Sequence, residues 1–271
     1  MSKRKRNLII VGSIVGVLVD LAIIFGSLFG LRTITVDYLT TTFRVEEYSK
    51  EDIIRASSIK KGKNIIFQEF DNNKQKLEKE FPYAEFKIMR VFPNTVIIYV
   101  YERVPVFRYL KNGFWYIFDE NLKCLEIVAN ANLNLNNNND IPILNVDEGL
   151  NIDCEVGEFL DNKNLKNTIT NIIDGVYGFE ETPISVVSDI TLSNDDIFGT
   201  QVISLKITDS GTIINVQGEN LLVEKIAYAT YLYVSVVSQN PEYNGKLDKI
   251  SITVYKDFNL ENKKVVVNEG N

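Results

Sequence analysis

The first thirty residues constrain the fold of this chain more than any other part of it. Residues 8–31 are 24 positions in which the single charged side chain is Asp20. A helix rises 1.5 Å per residue, so this segment would extend about 36 Å, enough to cross a hydrocarbon core of about 30 Å. The sequence therefore predicts a transmembrane helix from Leu8 to Leu31, followed by globular domains on one side of a membrane.

The flanking charges predict the orientation of this helix. Four basic residues precede the apolar segment, and only Arg32 directly follows it; the four are Lys3, Arg4, Lys5 and Arg6. Cytoplasmic flanks carry the excess of basic residues, so residues 1–7 are expected in the cytoplasm and the rest outside. The competing interpretation is a cleaved signal peptide, whose apolar region spans about 7–15 residues and ends at a small-x-small site.

Asp20 has two interpretations. A charged residue at the bilayer centre costs about 2.5–3.5 kcal/mol on insertion scales, which favours contact with a partner helix. Alternatively, the carboxyl group stays protonated, or the long segment tolerates it.

The charge balance argues against one class of partner. After residue 7 the chain has 25 Lys and Arg against 36 Asp and Glu, a balance of −11. An acidic exterior is a poor ligand for phosphate backbones and anionic lipid, so no nucleic acid is expected as a partner.

Residues 32–104 are predicted to form a module with the order strand, helix, helix, strand, strand. Residues 33–37, or else 42–46, form the first strand, and Ser49 with Asp52 three positions later marks the start of a helix. Asp71 is the predicted cap of the second helix.

A hairpin closes this module. Its strands are "YAEFKIMRV" and "TVIIYVYE", with the turn at 92–95. Val96, Ile98 and Val100 are expected to face the helices. Pro105 has no backbone N–H donor, so it ends the pairing and marks the exit to the next domain.

Residues 105–258 are predicted to form a β-rich domain with helices on its sheet. A hairpin is expected around Asp119–Asn121, with Asn121 in the left-handed conformation. Two helices are predicted over 165–179 and 219–237, and strands over 188–193, 200–208, 212–218 and 245–258. The asparagine-rich residues 129–142 indicate a mobile loop, and 259–271 a polar C-terminal tail.

These features resemble the FtsQ/DivIB family of bacterial cell-division proteins. The resemblance rests on the basic tail and apolar segment, and on the strings "YSKEDI", "GKNI" and "FPYAEFKIMRVFPNTVIIYVYERVPV". It implies an α+β fold in which residues 32–104 are a POTRA (polypeptide-transport-associated) domain and 105–258 a β-rich partner-binding domain. It also implies a bitopic protein at the division septum, in the cytoplasmic membrane, with both domains outside.

The resemblance further implies partners. In this family the C-terminal edge of the second domain binds FtsB/DivIC, which pairs with FtsL, so the chain is expected to scaffold both for septum formation. An exposed final strand suits such binding, because its unpaired backbone groups accept another strand. The predicted contact residues are Lys249, Ile250, Ser251, Ile252, Thr253, Val254 and Tyr255. Either the isoleucines and Val254 face the core and the other three the partner, or the reverse.

The sequence offers little for catalysis. It has no histidine, which excludes His-based triads and most zinc sites, and it shows no glycine-rich phosphate loop. No catalytic residue, metal, cofactor or small-molecule substrate is therefore predicted. The alternative is a membrane-anchored wall-binding protein or wall enzyme that uses surface carboxylates such as Asp119 and Glu120. Cys124 and Cys154 are compatible with two thiols or one disulfide.

Overall fold

The computed structural model of the chain describes residues 3–39, 48–130, 141–147, 154–179, 183–194, 200–261 and 263–270. The chain divides after Arg103 into two compact units, Met1–Arg103 and Val104–Asn271.

The first unit has the predicted order of elements. After α1 (Lys3–Leu28) come β1 (Thr33–Tyr38), α2 (Lys50–Ser57), α3 (Asp71–Glu80), β2 (Ala84–Val91) and β3 (Thr95–Glu102). The sheet order is β1-β3-β2, with β3 parallel to β1 and antiparallel to β2. The first strand therefore occupies the earlier of its two predicted positions, whereas 42–46 lies outside the described residues.

The apolar character of β3 follows from its central place in this sheet. Val96, Ile98 and Val100 have no exposed surface and contact the core that the helices cover, as predicted. The start of α2 is also as predicted, since the Ser49 hydroxyl accepts the backbone N–H of Asp52 at 3.1 Å. The end of α2 differs, because Ser58 adopts the left-handed conformation (φ 55°) four residues before Gly62.

The N-terminal segment requires one correction. The sequence predicts Leu31 as the end of a membrane span, but α1 ends at Leu28 and Leu31 is 1% exposed in the core of the first unit. Its N–H donates to the Lys63 carbonyl at 2.9 Å and its own carbonyl accepts the Gly62 N–H at 2.8 Å, so this residue belongs to the globular unit.

The remaining membrane assignments stay predictions. Asp20 is exposed on α1, and the side chains of Leu8, Lys3, Arg4, Lys5 and Arg6 lie outside the described ones. Among the residues that the structure describes, no helix combines the length and the apolar character that a membrane crossing requires.

The second unit contains one large mixed sheet. Its elements are β4 (Phe107–Lys111), β5 (Phe114–Phe118), β6 (Cys124–Ala129), β7 (Ile143–Val146), α4 (Lys163–Tyr177), β8 (Val187–Asn194), β9 (Gln201–Ile207), β10 (Ile213–Gln217), α5 (Leu222–Leu232), β11 (Ile250–Val254) and β12 (Val265–Glu269). The sheet order is β12-β11-β10-β9-β8-β7-β4-β5-β6. The pairs β4–β7, β7–β8 and β10–β11 are parallel and the others antiparallel. The α+β class with a helix-covered, β-rich second part is therefore confirmed.

The helices α4 and α5 pack on one face of this sheet and share its core. They cross closely at Gly175, where a Cβ atom would lie 2.6 Å from the Cβ of Ile226. The buried Lys225 joins α5 to the end of β10, since its ammonium group donates to the carbonyls of Gln217 at 2.7 Å and Gly218 at 3.3 Å.

Two details of the second unit differ from the prediction. The residue in the left-handed conformation between β5 and β6 is Leu122 (φ 62°), not Asn121. The segment 259–271, predicted as a polar tail, contains β12, which pairs with β11. The asparagine-rich residues 131–140 lie outside the described part of the chain.

Candidate partner-binding edge

The predicted contact residues lie on β11, one strand in from the edge of the sheet. Ile250, Ile252 and Val254 are at most 1% exposed and belong to the core beneath the helices. Ser251, Thr253 and Tyr255 are half-buried on the opposite face. Lys249 ends a short 3₁₀ turn before the strand. The first of the two alternatives for the faces of this strand is therefore correct.

The expectation that this strand forms the edge is wrong. It pairs with β10 in parallel on one side and with β12 in antiparallel fashion on the other, so both of its sides are hydrogen-bonded within the sheet. The physical reason is that the chain reverses after Phe258 and returns three consecutive valines, Val265, Val266 and Val267, along β11. This β-branched run is the sequence signal for β12. The charged and amide residues on both sides of the run made the whole segment resemble a polar tail.

The hydrogen bonds between β11 and β12 show which groups of β12 face outward. The Tyr255 N–H donates to the Lys264 carbonyl at 3.3 Å, and the Gly270 N–H donates to the Lys249 carbonyl at 2.8 Å. In an antiparallel pair the residues bonded to the neighbour alternate with those that point away. Lys264, Val266, Asn268 and Gly270 therefore bond to β11. The backbone N–H and C=O groups of Val265, Val267 and Glu269 point away from the sheet.

Two exposed ion pairs hold the ends of β12. The Lys264 ammonium contacts the Asp257 carboxylate at 2.7 Å, and the Lys246 ammonium contacts the Glu269 carboxylate at 2.9 Å. The hydrogen bond from Lys264 lowers the pKa of Asp257, and the hydrogen bond to Glu269 raises the pKa of Lys246. Asp257, Lys264 and Lys246 are therefore favoured in their ionised forms.

The outer side of β12 has the features of a strand-addition site. Within the described part of the chain no strand pairs with it. Val266 is 39% and Val267 37% exposed, and the strand has neither a proline nor an inward-pointing charge between Val265 and Asn268 that would discourage pairing. An extended segment of another chain could thus gain backbone hydrogen bonds and contact apolar side chains.

Asp119, one of the two carboxylates named for the wall-binding or wall-enzyme alternative, has a structural role. This side chain is 2% exposed, and its Oδ1 atom accepts the backbone N–H groups of Asn121 at 2.9 Å and Lys123 at 2.8 Å. The carboxylate therefore closes the turn between β5 and β6, while Glu120 is exposed. In the described residues no group of three or more Asp, Glu or Cys side chains is arranged to hold a metal ion.

Comparison with known proteins gives two matches. Residues 45–103 match the family described as POTRA domain, FtsQ-type. The chain is also 28% identical over 130 residues to "Cell division protein DivIB" of Clostridium tetani (strain Massachusetts / E88).

The DivIB match covers 46% of this chain and 46% of that relative, so the chain matches about half the length of the relative. The FtsQ-type match covers α2, α3, β2 and β3 of the first unit, whereas β1 lies before it. Together, the POTRA match and the DivIB relative support the membership of this chain in the FtsQ/DivIB family of bacterial cell-division proteins.

Proposed function

We propose that the protein is a non-enzymatic bitopic division protein that scaffolds FtsB/DivIC-like and FtsL-like partners outside the cytoplasmic membrane for septum formation. The observation that carries the proposal is the unpaired outer side of β12 in a chain of the FtsQ/DivIB family. The partner strand adds to β12, with its backbone groups opposite those of Val265, Val267 and Glu269. The side chains exposed beside this edge supply the selectivity.

The strand β11 contributes indirectly. Residues Lys249–Tyr255 contain β11, the inner strand to which β12 is hydrogen-bonded. The buried side chains of β11 fix the register of β11 in the sheet, and β12 pairs with it in that register. The predicted contact residues thus support the partner-binding strand. In the alternative form of this proposal the partner displaces β12 and pairs with β11 itself. The experiment must distinguish this replacement from addition to the outer side of β12.

The experiment titrates the full-length chain in detergent with the ectodomain of the DivIC-like protein from the same organism. The key variant is Val267→Pro, which removes an outward N–H donor and leaves the bonds between β12 and β11 in place. Its matched control is Val267→Ala, which keeps the donor and shortens the side chain. Unchanged Trp115 fluorescence and circular dichroism establish that each variant is folded.

Strand addition predicts that Val267→Pro weakens binding at least tenfold, whereas Val267→Ala changes it less. A second variant, Val266→Pro, removes a donor that bonds to β11 and so loosens β12. Tighter binding by Val266→Pro would show that the partner replaces β12 and pairs with β11. Wild-type affinity in Val267→Pro would exclude the outer side of β12 as the site.

The membrane topology is proposed from the sequence. Residues 8–31 contain the apolar segment and Leu31 is part of the first unit, so the span is expected to lie within α1 with Lys3, Arg4, Lys5 and Arg6 in the cytoplasm. Single cysteines placed at residue 2 and at exposed Lys61, in a Cys124→Ala and Cys154→Ser background, test this in intact cells. A membrane-impermeant maleimide should label only position 61; labelling at position 2 would contradict the orientation.

A further inference from the structure

The two cysteines of the chain lie together in the second unit, although they are 30 positions apart in the sequence. Cys124 is the first residue of β6 and is fully buried, whereas Cys154 is half-buried in the segment that leads to α4. Both side chains pack in the same hydrophobic core. The two thiols are near enough to interact with each other, the Cys124 thiol donates a weak hydrogen bond to the Glu126 carbonyl at 3.8 Å, and both cysteines are reduced in the structure.

The backbone around the cysteines holds this arrangement. The Cys124 N–H donates to the Glu158 carbonyl at 2.8 Å, and the Cys124 carbonyl accepts the Gly157 N–H at 2.7 Å. A third bond joins the Leu160 N–H to the Leu122 carbonyl at 2.8 Å. The segment after Cys154 therefore runs as a short arm along the start of β6, and three backbone hydrogen bonds keep the thiols close.

We propose that Cys124 and Cys154 are a redox-active pair that closes to an intramolecular disulfide when the protein meets a disulfide oxidant. The oxidant class is the disulfide of a small-molecule thiol or of a thiol oxidoreductase. In the first step the Cys154 thiolate attacks one sulfur of the oxidant, forms a mixed disulfide and releases one thiolate. In the second step the Cys124 thiolate attacks Sγ of Cys154 and releases the other thiolate.

The step balances, because the two cysteines lose two electrons and two protons and the oxidant disulfide becomes two thiols. The order of attack follows from exposure. Cys154 is half-buried and so more accessible than the fully buried Cys124. Burial raises the pKa of the Cys124 thiol far above its usual range, with the adjacent Cys154 adding to the effect. Cys124 thus serves as the resolving cysteine, and the second step is the slower one.

The bond would join one end of the nine-stranded sheet covalently to the arm before α4. It would close a loop of about 30 residues, for which chain-entropy arguments and the thermal behaviour of domains of this size predict a rise in Tm of roughly 10 °C. The redox state would therefore set the rigidity of the sheet end opposite to β12. This inference does not depend on the division function proposed above.

The test exposes the full-length reduced chain to glutathione disulfide at pH 8.5. Intact mass spectrometry after alkylation, peptide mapping and thermal unfolding followed by Trp115 fluorescence are then recorded. The wild type is expected to lose 2 Da with no glutathione adduct, to yield one peptide pair linked through Cys124 and Cys154, and to gain roughly 10 °C in Tm. In the Cys154→Ser variant the thiol of Cys124 should stay reduced.

Three results would overturn the proposal. They are a persistent glutathione adduct on the wild type, disulfide-linked dimers as the main product, and two alkylated thiols after the oxidation has run overnight. The wild type provides the decisive mapping by itself, so the conclusion does not depend on the folding of a variant.

Discussion

The close crossing of α4 and α5 gives a prediction whose sign can be worked out from the structure. Substituting Gly175→Ala adds a Cβ atom 2.6 Å from the Cβ and 2.8 Å from the Cγ2 of Ile226, and 3.0 Å from the Val223 carbonyl oxygen. Carbon atoms pack at about 3.5–4.0 Å, so the helices must separate by roughly 1 Å. Both helices belong to the core of the second unit, and the separation would loosen that core.

Two effects of opposite sign set the magnitude. Overpacking of a well-filled core costs about 1–3 kcal/mol, whereas Ala in place of Gly inside a helix stabilises by up to about 1 kcal/mol. We therefore expect a net loss of about 1–2 kcal/mol in the free energy of unfolding. With a urea m-value of about 2 kcal/mol/M, the unfolding midpoint should fall by about 0.5–1 M.

The chain contains one tryptophan, Trp115, which is buried in β5 of the second unit. Urea unfolding followed by its fluorescence therefore reports on the unit that contains the substitution. Helix propensity alone predicts a stabilised variant, so the two contributions differ in sign. A midpoint that is unchanged or higher in Gly175→Ala would refute the close crossing.

Two further predictions concern the thiol and the turn between β5 and β6. Burial raises the pKa of the Cys124 thiol above its unfolded value near 8.5. Its contribution to stability is therefore complete below about pH 8.5 and lost as the pH rises, by up to about 1.4 kcal/mol per unit. Urea unfolding of the reduced protein between pH 8 and 10 should show this decline, and an equally steep decline in Cys124→Ala would contradict the assignment. Asp119→Ala should lower the free energy of unfolding by about 2–3 kcal/mol, because the buried N–H of Lys123 and the partly buried N–H of Asn121 lose a charged acceptor. The exposed neighbour Glu120→Ala should change it by less than about 0.5 kcal/mol, and equal effects would show that the carboxylate does not hold the turn.

Much of the first unit could be predicted from the sequence because its signals are local. The cap at Ser49, the alternation along 84–91 and 95–102 and the break at Pro105 each depend on neighbouring residues alone. The same is true of the strings that resemble the FtsQ/DivIB family. The second unit contains a local signal of the same kind in the Asn-Gly pair 112–113, since Asn112 (φ 52°) and Gly113 (φ 80°) form the tight turn between β4 and β5.

The features that the sequence did not settle depend on contacts between distant residues. Leu31 is a core residue because the backbone of Gly62 and Lys63 pairs with it, and Leu122 takes the left-handed conformation because Asp119 holds the turn around it. No periodicity near either residue reports those contacts. The predicted division function, partners and membrane span remain proposals for the experiments above.

The sequence by itself determined the apolar N-terminal segment, the acidic balance of the rest, the order of elements in the first unit and the resemblance to the FtsQ/DivIB family. Only the tertiary structure decided which strand forms the sheet edge. Val265–Val267 become β12 because β11 offers them a partner in register, and this pairing moves the unpaired backbone groups from Lys249–Tyr255 to Val265, Val267 and Glu269. Sheet order is set by long-range pairing and burial, which one strand's own residues do not encode.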